Sequence, residues 1–122
     1  SPFTIFKGQK IHEDEEIKKV QEYIETNVAD KIAVDELCNK FAIGRRTFER
    51  RFKKATNNTV AEYIQRVKIE AAKKQLETGR KTVSEVMFEV GYNDTKAFRE
   101  LFKKITGLSP VDYRNKYNKA AA

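Results

Sequence analysis

Residues 48–57 read Phe-Glu-Arg-Arg-Phe-Lys-Lys-Ala-Thr-Asn, and residues 98–107 read Phe-Arg-Glu-Leu-Phe-Lys-Lys-Ile-Thr-Gly. Two phenylalanines, two lysines and a threonine recur at an offset of 50, and Tyr63 and Tyr113 keep the same offset. N-terminal to the phenylalanines the offset falls to 49, because the second copy has one more residue in its turn. A short basic repeat that occurs twice predicts two copies of one helix-turn-helix unit rather than a solenoid.

The spacing of apolar residues predicts an all-α chain of seven helices. Apolar residues recur every three or four positions, as on one face of a helix, and no stretch alternates as a half-buried strand does. Thr59 and Thr82 each lie three residues before a glutamate, which is the capping-box pattern, and Ser109 precedes a proline at a first helical position. The helices are expected near residues 13–27, 34–41, 45–55, 59–79, 82–90, 95–106 and 110–117.

These helices group into two helix-turn-helix subdomains joined by a long central helix. The predicted boundaries are 1–12 for an N-terminal arm or linker, 13–58 for the first subdomain, 59–79 for the connecting helix, 80–118 for the second subdomain and 119–122 for a tail. A connecting helix of about 20 residues is roughly 30 Å long. Because successive major-groove segments on one face of B-DNA lie about 34 Å apart, we expect the two recognition helices to enter adjacent segments.

The basic charge is concentrated in the part of the chain that carries the repeat. The formal net charge is +7, with a net of −3 over residues 1–43 and +10 over residues 44–122. Such a balance suits a polyanion, whose counterions are released when its phosphates are neutralised, although charge alone leaves a solvated basic surface equally open. The single cysteine excludes an internal disulfide and favours a reducing cytoplasm, and no signal peptide or membrane span is visible.

The third helix is expected to present two arginines to a partner. At about 100° per residue, Phe48 and Phe52 define its inward side, and Arg46 and Arg50 point away from it, with Glu49 at the flank. The recognition helix of a helix-turn-helix unit lies in the major groove with its N-terminal residues near base edges. Arginine pairs bidentately with guanine O6 and N7, so this helix is predicted to read DNA.

The sixth helix repeats the arrangement with different outward residues. Lys96 takes the place of Arg46 and Glu100 that of Arg50, with Arg99 and Lys103 beside them. A glutamate facing phosphates is unfavourable, so Glu100 either accepts from a cytosine amino group or pairs with a neighbouring base-contacting cation. We therefore expect an asymmetric site with two unlike half-elements.

Contacts to the DNA backbone are expected from helix N-termini and from lysines at the groove edges. The candidates are Lys53, Lys54, Thr59, Lys103, Lys104 and Ser109. No metal-ligand spacing, glycine-rich phosphate loop or nucleophile-base arrangement is present, so we predict no cofactor, no metal and no enzyme activity. His12 lies alone in the arm, and Cys38 occupies an apolar helical position that is typical of a core.

The chain resembles the AraC/XylS-type transcription regulators. The resemblance rests on the stretch 91–98, residues 102–104, Gly-Leu-Ser-Pro at 107–110 and Tyr113-Arg114, and the first unit resembles the partner half through residues 46–53 and 63–64. It covers about residues 14–118 and implies seven helices with two homeodomain-like helix-turn-helix subdomains. The base-facing positions that it implies are Arg46, Glu49, Arg50, Thr95, Lys96, Arg99 and Glu100.

The resemblance further implies the C-terminal DNA-binding domain of a bacterial regulator. Such a domain binds double-stranded promoter DNA in the cytoplasm, at the nucleoid, and contacts RNA polymerase, while any effector ligand binds a missing N-terminal domain. The arm from Pro2 to Asp14 resembles the join in members fused to a DJ-1/PfpI-like domain. Gly44 replaces a frequent serine cap, and residues 57–60 replace a Gly-x-Ser/Thr-Pro turn, so the first unit is expected to be looser.

Two other functions remain open at this point. One is an architectural nucleic-acid binder that is indifferent to sequence, and the other is a helical protein-interaction module with an acidic partner. The register that the two recognition helices share argues against both of these functions. Binding to random duplexes distinguishes them from sequence-specific DNA binding.

Overall fold

The computed structural model describes residues 12–118, and within this range it contains seven α-helices and no strand. The predicted all-α fold of seven helices is confirmed. The predicted tail at 119–122 and the predicted arm, except for His12, lie outside the described residues. The resemblance of this arm to a DJ-1/PfpI-like join falls outside them as well. The helices are α1 (Glu15–Thr26), α2 (Val34–Phe41), α3 (Arg45–Thr56), α4 (Val60–Thr78), α5 (Val83–Glu89), α6 (Thr95–Thr106) and α7 (Pro110–Tyr117).

The helix N-termini are capped much as the local sequence predicts. The Thr59 and Thr82 hydroxyls each accept a hydrogen bond from the backbone N–H three residues on, at 3.1 Å, and the glutamate there accepts from the threonine N–H in return. Ser109 accepts from the N–H of Asp112 at 3.1 Å. Gly44 caps α3 without a side-chain hydrogen bond, as expected from its missing hydroxyl.

The described residues form two units. The first comprises residues 12–27 and 31–67, and the second comprises residues 28–30 and 68–118. The helix predicted as a separate connector is thus divided between them, since α4 belongs to the first unit up to Val67 and to the second from Lys68 onward. Cys38 is buried in the first unit, as its apolar position predicts.

Each unit contains three buried aromatic rings at matching positions, which we call the first and the second aromatic triad. They are Phe48, Phe52 and Tyr63 in the first unit and Phe98, Phe102 and Tyr113 in the second. Neighbouring ring centroids are 5.9 and 5.3 Å apart in the first triad and 5.9 and 5.4 Å apart in the second. These are the edge-to-face and tilted contacts that aromatic side chains favour, and they anchor α3 and α6 in their units.

The second unit buries a lysine that sequence reasoning did not single out. Lys68 is 5% exposed, and its Nζ donates to the backbone carbonyls of Val28, Asp30 (2.8 Å) and Val90 (3.2 Å). Burial lowers the pKa of Lys68. One ammonium group therefore satisfies carbonyls of the loop before α2 and of the turn after α5.

Gly91 makes room for this arrangement. Its φ is +89°, and a Cβ at this residue would lie 2.8 Å from Lys68 Nζ and 2.9 Å from the carbonyl oxygen of Ala29. A left-handed φ favours glycine, and both contacts are too short for a real Cβ. The glycine at the turn of the second copy is thus needed for a close approach of two backbone segments, as well as for its conformation.

We expect Gly91→Ala to destabilise the protein more than Gly107→Ala. Gly107 has a similar φ of +86°, but a Cβ there would have no neighbouring atom within 4 Å, so its replacement adds conformational strain of about 1 kcal/mol only. Gly91→Ala adds the steric clash, which raises the expected loss by about 1–3 kcal/mol. Urea unfolding followed by circular dichroism measures both losses, and equal values would contradict the close approach.

Candidate nucleic-acid interface

The outward face of α3 carries two exposed arginines. Arg46 and Arg50 are exposed, opposite the buried Phe48 and Phe52, as the helical wheel predicts. Neither forms an ion pair within residues 12–118. Their guanidinium groups are therefore available to a partner that offers paired acceptors, such as a guanine edge or a phosphate.

Glu49, the third predicted base-facing residue of α3, has a partner on its own helix. Arg45 Nε donates to Glu49 Oε1 at 3.0 Å, and Arg45 Nη1 donates to Asp35 Oδ1 of α2 at 2.8 Å. The hydrogen bond to Glu49 and the charge of Asp35 raise the pKa of Arg45. Sequence reasoning missed Arg45, although its spacing of four residues from Glu49 is a helical ion-pair signal.

The face of α6 brings the predicted residues of the second unit together. A surface cavity of about 490 Å³ is lined by Thr95, Lys96, Arg99, Glu100, Lys103 and Ser109. No ion pair joins its four charged side chains to each other or to another residue of the range 12–118. Four predicted base contacts and two predicted backbone contacts thus share one concave surface.

The predicted backbone contacts near α4 have different surroundings. The Thr59 N–H is bonded to Glu62 Oε1 at 3.2 Å, so a carboxylate already occupies the N-terminus of α4. Hydrogen bonds from Thr59 lower the pKa of Glu62, which keeps that carboxylate charged. The four predicted lysines are all exposed, namely Lys53, Lys54, Lys103 and Lys104. The geometry favours lysines over the Thr59 N–H as phosphate contacts here.

Lys54 lies in an acidic groove. It lines a cavity of about 660 Å³ together with His12, residues 13–16, Arg51 and Ala55. Residues 13–16 are Glu-Asp-Glu-Glu, whose negative charge offsets that of Lys54. A phosphate contact from Lys54 is therefore less favourable than one from Lys53.

Arg51 points toward α1 and holds α3 in the first unit. Its guanidinium donates to both carboxylate oxygens of Asp14, at 2.7 and 3.1 Å, and to Glu16 Oε1 at 3.2 Å. Asp14 also caps α1 by accepting from the N–H of Ile17 at 3.3 Å. The hydrogen bond from Arg51 is the main cause that lowers the pKa of Asp14. Nothing in the local sequence indicated this long-range pair.

His12 also has a partner, although the sequence placed it alone in the arm. Its Nδ1 accepts from the Asp14 N–H at 3.2 Å, so its Nε2 donates to Gln21 Oε1, 2.7 Å away. Gln21 is fully buried. Within residues 12–118, no three His, Cys, Asp or Glu side chains are placed to hold a metal ion, and no helix is long and apolar enough to cross a membrane.

Comparisons with known proteins identify the family to which the fold belongs. A helix-turn-helix domain family matches residues 37–116. An uncharacterised HTH-type transcriptional regulator in the cgkA 5′ region of Pseudoalteromonas carrageenovora is 35% identical over 96 residues, which cover 79% of this chain and 57% of that protein. The transposon Tn10 TetD protein of Escherichia coli is 32% identical over 98 residues, which cover 80% of this chain and 71% of that protein.

A solved structure is similar over most of the chain. The DNA-binding domain of AdpA, a global transcriptional factor in complex with a target DNA, has a TM-score of 0.79 and 28% identity, and the similarity covers 83% of this chain and 91% of that domain. The chain spans about half the length of the first curated relatives that it matches.

We expect Arg51→Gln to lower the free energy of unfolding by about 1 kcal/mol at neutral pH, because it removes a bidentate pair that is 24–29% exposed. Arg50→Gln removes the same charge from a neighbour that forms no ion pair within residues 12–118, and it is expected to leave stability unchanged. The pKa of Asp14 is lowered from 3.8, so its contribution is present above about pH 3.8 and is lost as the pH falls through the folded-state value. Urea unfolding at several pH values checks this, and a difference that persists at the lowest pH would contradict the pair.

Proposed function

Because the chain belongs to the AraC-type helix-turn-helix domain family, we propose that it binds double-stranded promoter DNA sequence-specifically as part of a bacterial transcription regulator. The observation that carries the proposal is the repeated presentation of α3 and α6. In each unit a buried aromatic triad fixes the inner side of a helix, whose opposite side is polar, charged and exposed. A structural relative of 28% identity was solved with its target DNA, which supports the same use here.

In this proposal α3 enters a major-groove segment and reads guanine. Arg46 and Arg50 are one helical turn apart, and neither forms an ion pair within residues 12–118. Each guanidinium has the two parallel donors that match guanine O6 and N7. Glu49, whose Oε1 is held by Arg45, contributes less to base contacts than the sequence pattern implied.

The second unit reads a different set of base edges. Lys96 and Arg99 offer donors to guanine or thymine, whereas the Glu100 carboxylate accepts from a cytosine or adenine amino group. All three line the same cavity as Lys103 and Ser109, which approach the phosphates beside the groove. The operator is therefore asymmetric, with α3 and α6 in adjacent major-groove segments.

The proposal includes two further partners, RNA polymerase and an effector ligand. A protein held beside a promoter at the nucleoid, in the bacterial cytoplasm, is placed to contact RNA polymerase. Any effector ligand is assigned to a part of the regulator outside this sequence.

Selection of bound sequences from a random duplex library at moderate salt tests the function. We expect one asymmetric motif with two elements about one helical turn apart. Tight binding without enrichment would favour the sequence-indifferent architectural binder instead. Absence of binding would favour the protein-interaction module.

We expect Arg46→Ala and Lys103→Ala to weaken binding in different ways. Arg46→Ala is expected to cost about 1–3 kcal/mol on the selected site and to relax the preference at one base position. Lys103→Ala is expected to weaken all duplexes alike and to reduce the slope of log K against log salt by about 1. Fluorescence anisotropy on the selected site and its single-base variants separates the two, and identical sequence-independent losses would contradict the groove assignment.

A further inference from the structure

Arg45 lies beside the proposed base-contacting residues and binds two carboxylates at once. Its Nε is 3.0 Å from Glu49 Oε1, and its Nη1 is 2.8 Å from Asp35 Oδ1. Asp35 belongs to α2, whereas Arg45 and Glu49 lie four residues apart on α3. Because the two carboxylates engage different nitrogens of the guanidinium, both pairs form in the same conformation. Asp35 thereby anchors Arg45 in the orientation that binds Glu49.

Glu49 has other cations within helical reach. Arg46 precedes it by three residues and Lys53 follows it by four, and side chains at these spacings are neighbours on a helix surface. In the structure neither is paired with Glu49, whose ion-pair partner within residues 12–118 is Arg45. Lys53 instead lies 3.4 Å from the carbonyl oxygen of Asn57. The carboxylate is thus directed away from the two cations that the proposed function needs.

The second unit has no equivalent of this arrangement. At the offsets of the repeat, Asp35 corresponds to Ser84, Arg45 to Thr95 and Glu49 to Arg99. The three residues are therefore replaced together. Glu49 follows the proposed base-contacting Arg46 by three residues. The acidic residue at this position thus occurs in the unit that also has Arg45 to bind it.

We propose that Asp35 and Arg45 act as positioning residues that keep Glu49 from pairing with Arg46, and so leave Arg46 free to read guanine. This inference rests on the proposed function. An arginine that is paired with a carboxylate loses donors to it and loses charge complementarity to the acceptor edge of guanine. The effect is local to the base that Arg46 contacts, because Arg50 follows Glu49 directly and does not face it on the helix.

The test compares Arg45→Gln, Glu49→Gln and the double variant in the whole chain. Discrimination is measured as the ratio of affinities for the selected duplex and for the duplex changed at the base that Arg46→Ala identifies. Arg45→Gln releases Glu49 toward Arg46 and is expected to lower that ratio about two- to five-fold, the size of one exposed helical ion pair. Glu49→Gln in the same background is expected to restore it, because no carboxylate is left to compete.

The double-variant cycle isolates the coupling between Arg45 and Glu49 from any direct contact of Arg45 with DNA. A uniform loss of affinity for all duplexes, without restoration by Glu49→Gln, would show that Arg45 contacts a phosphate and would overturn the inference. An unchanged ratio in Arg45→Gln would overturn it as well. If the parent protein itself shows no base preference, the proposed function fails first, so the two failures are distinguishable.

Discussion

The burial of two phenylalanines one turn apart on each recognition helix is the constraint on which the rest of the arrangement depends. Phe48 and Phe52 are fully buried in the first unit, and Phe98 and Phe102 in the second, each pair closed by a tyrosine ring. Two buried positions fix the rotation of a helix about its axis, because a turn of about 100° would expose one of the rings to water. The residues on the opposite side are then exposed by geometry, whatever their chemistry. The core therefore determines which positions of α3 and α6 are exposed to a partner. The proposed recognition depends on the residue types at those positions.

Local patterns predicted the helices and their caps because each depends on residues within one or two turns. Thr59, Thr82 and Ser109 bond to the N–H groups that their spacing indicates. The wheel also placed Arg46 and Arg50 correctly on the exposed side. The burial of Lys68 was not predicted, because its three carbonyl partners lie 22 to 40 residues away along the chain and a lysine on a long polar-rich helix is ordinarily solvated. The ion pair of Arg51 was not predicted for the same reason, since its partner Asp14 is 37 residues away along the chain.

The two copies reach the same turn after the recognition helix with different residues. Thr56 donates to the carbonyl of Phe52 at 2.9 Å and accepts from the N–H of Asn58 at 3.1 Å, and Thr106 makes the equivalent bonds at 2.8 and 3.2 Å. Asn57 adopts the left-handed conformation, with φ of +59°, that Gly107 adopts in the second copy. Asparagine tolerates this region better than most residues, so the turn forms without glycine. Residues 57–60, whose sequence suggested a looser first unit, therefore form the same turn as in the second copy. The N-terminus of α3 at Gly44 still lacks a side-chain cap.

The charge pattern of the two helices has a consequence for the orientation of the protein on DNA. Among residues 12–118, the first presents two arginines without an ion pair, since its carboxylate at Glu49 is bound by Arg45, whereas the second presents Lys96 and Arg99 beside a Glu100 that also forms no ion pair. A cationic pair favours acceptor edges, and a mixed set favours an edge that offers both a donor and an acceptor. With the proposed base contacts, exchanging the two units on a given duplex would place Glu100 against acceptors and leave an amino group facing arginine, and both contacts are repulsive. In the proposed arrangement, unlike half-elements therefore give the bound protein a single direction along the DNA, without any need for two-fold symmetry.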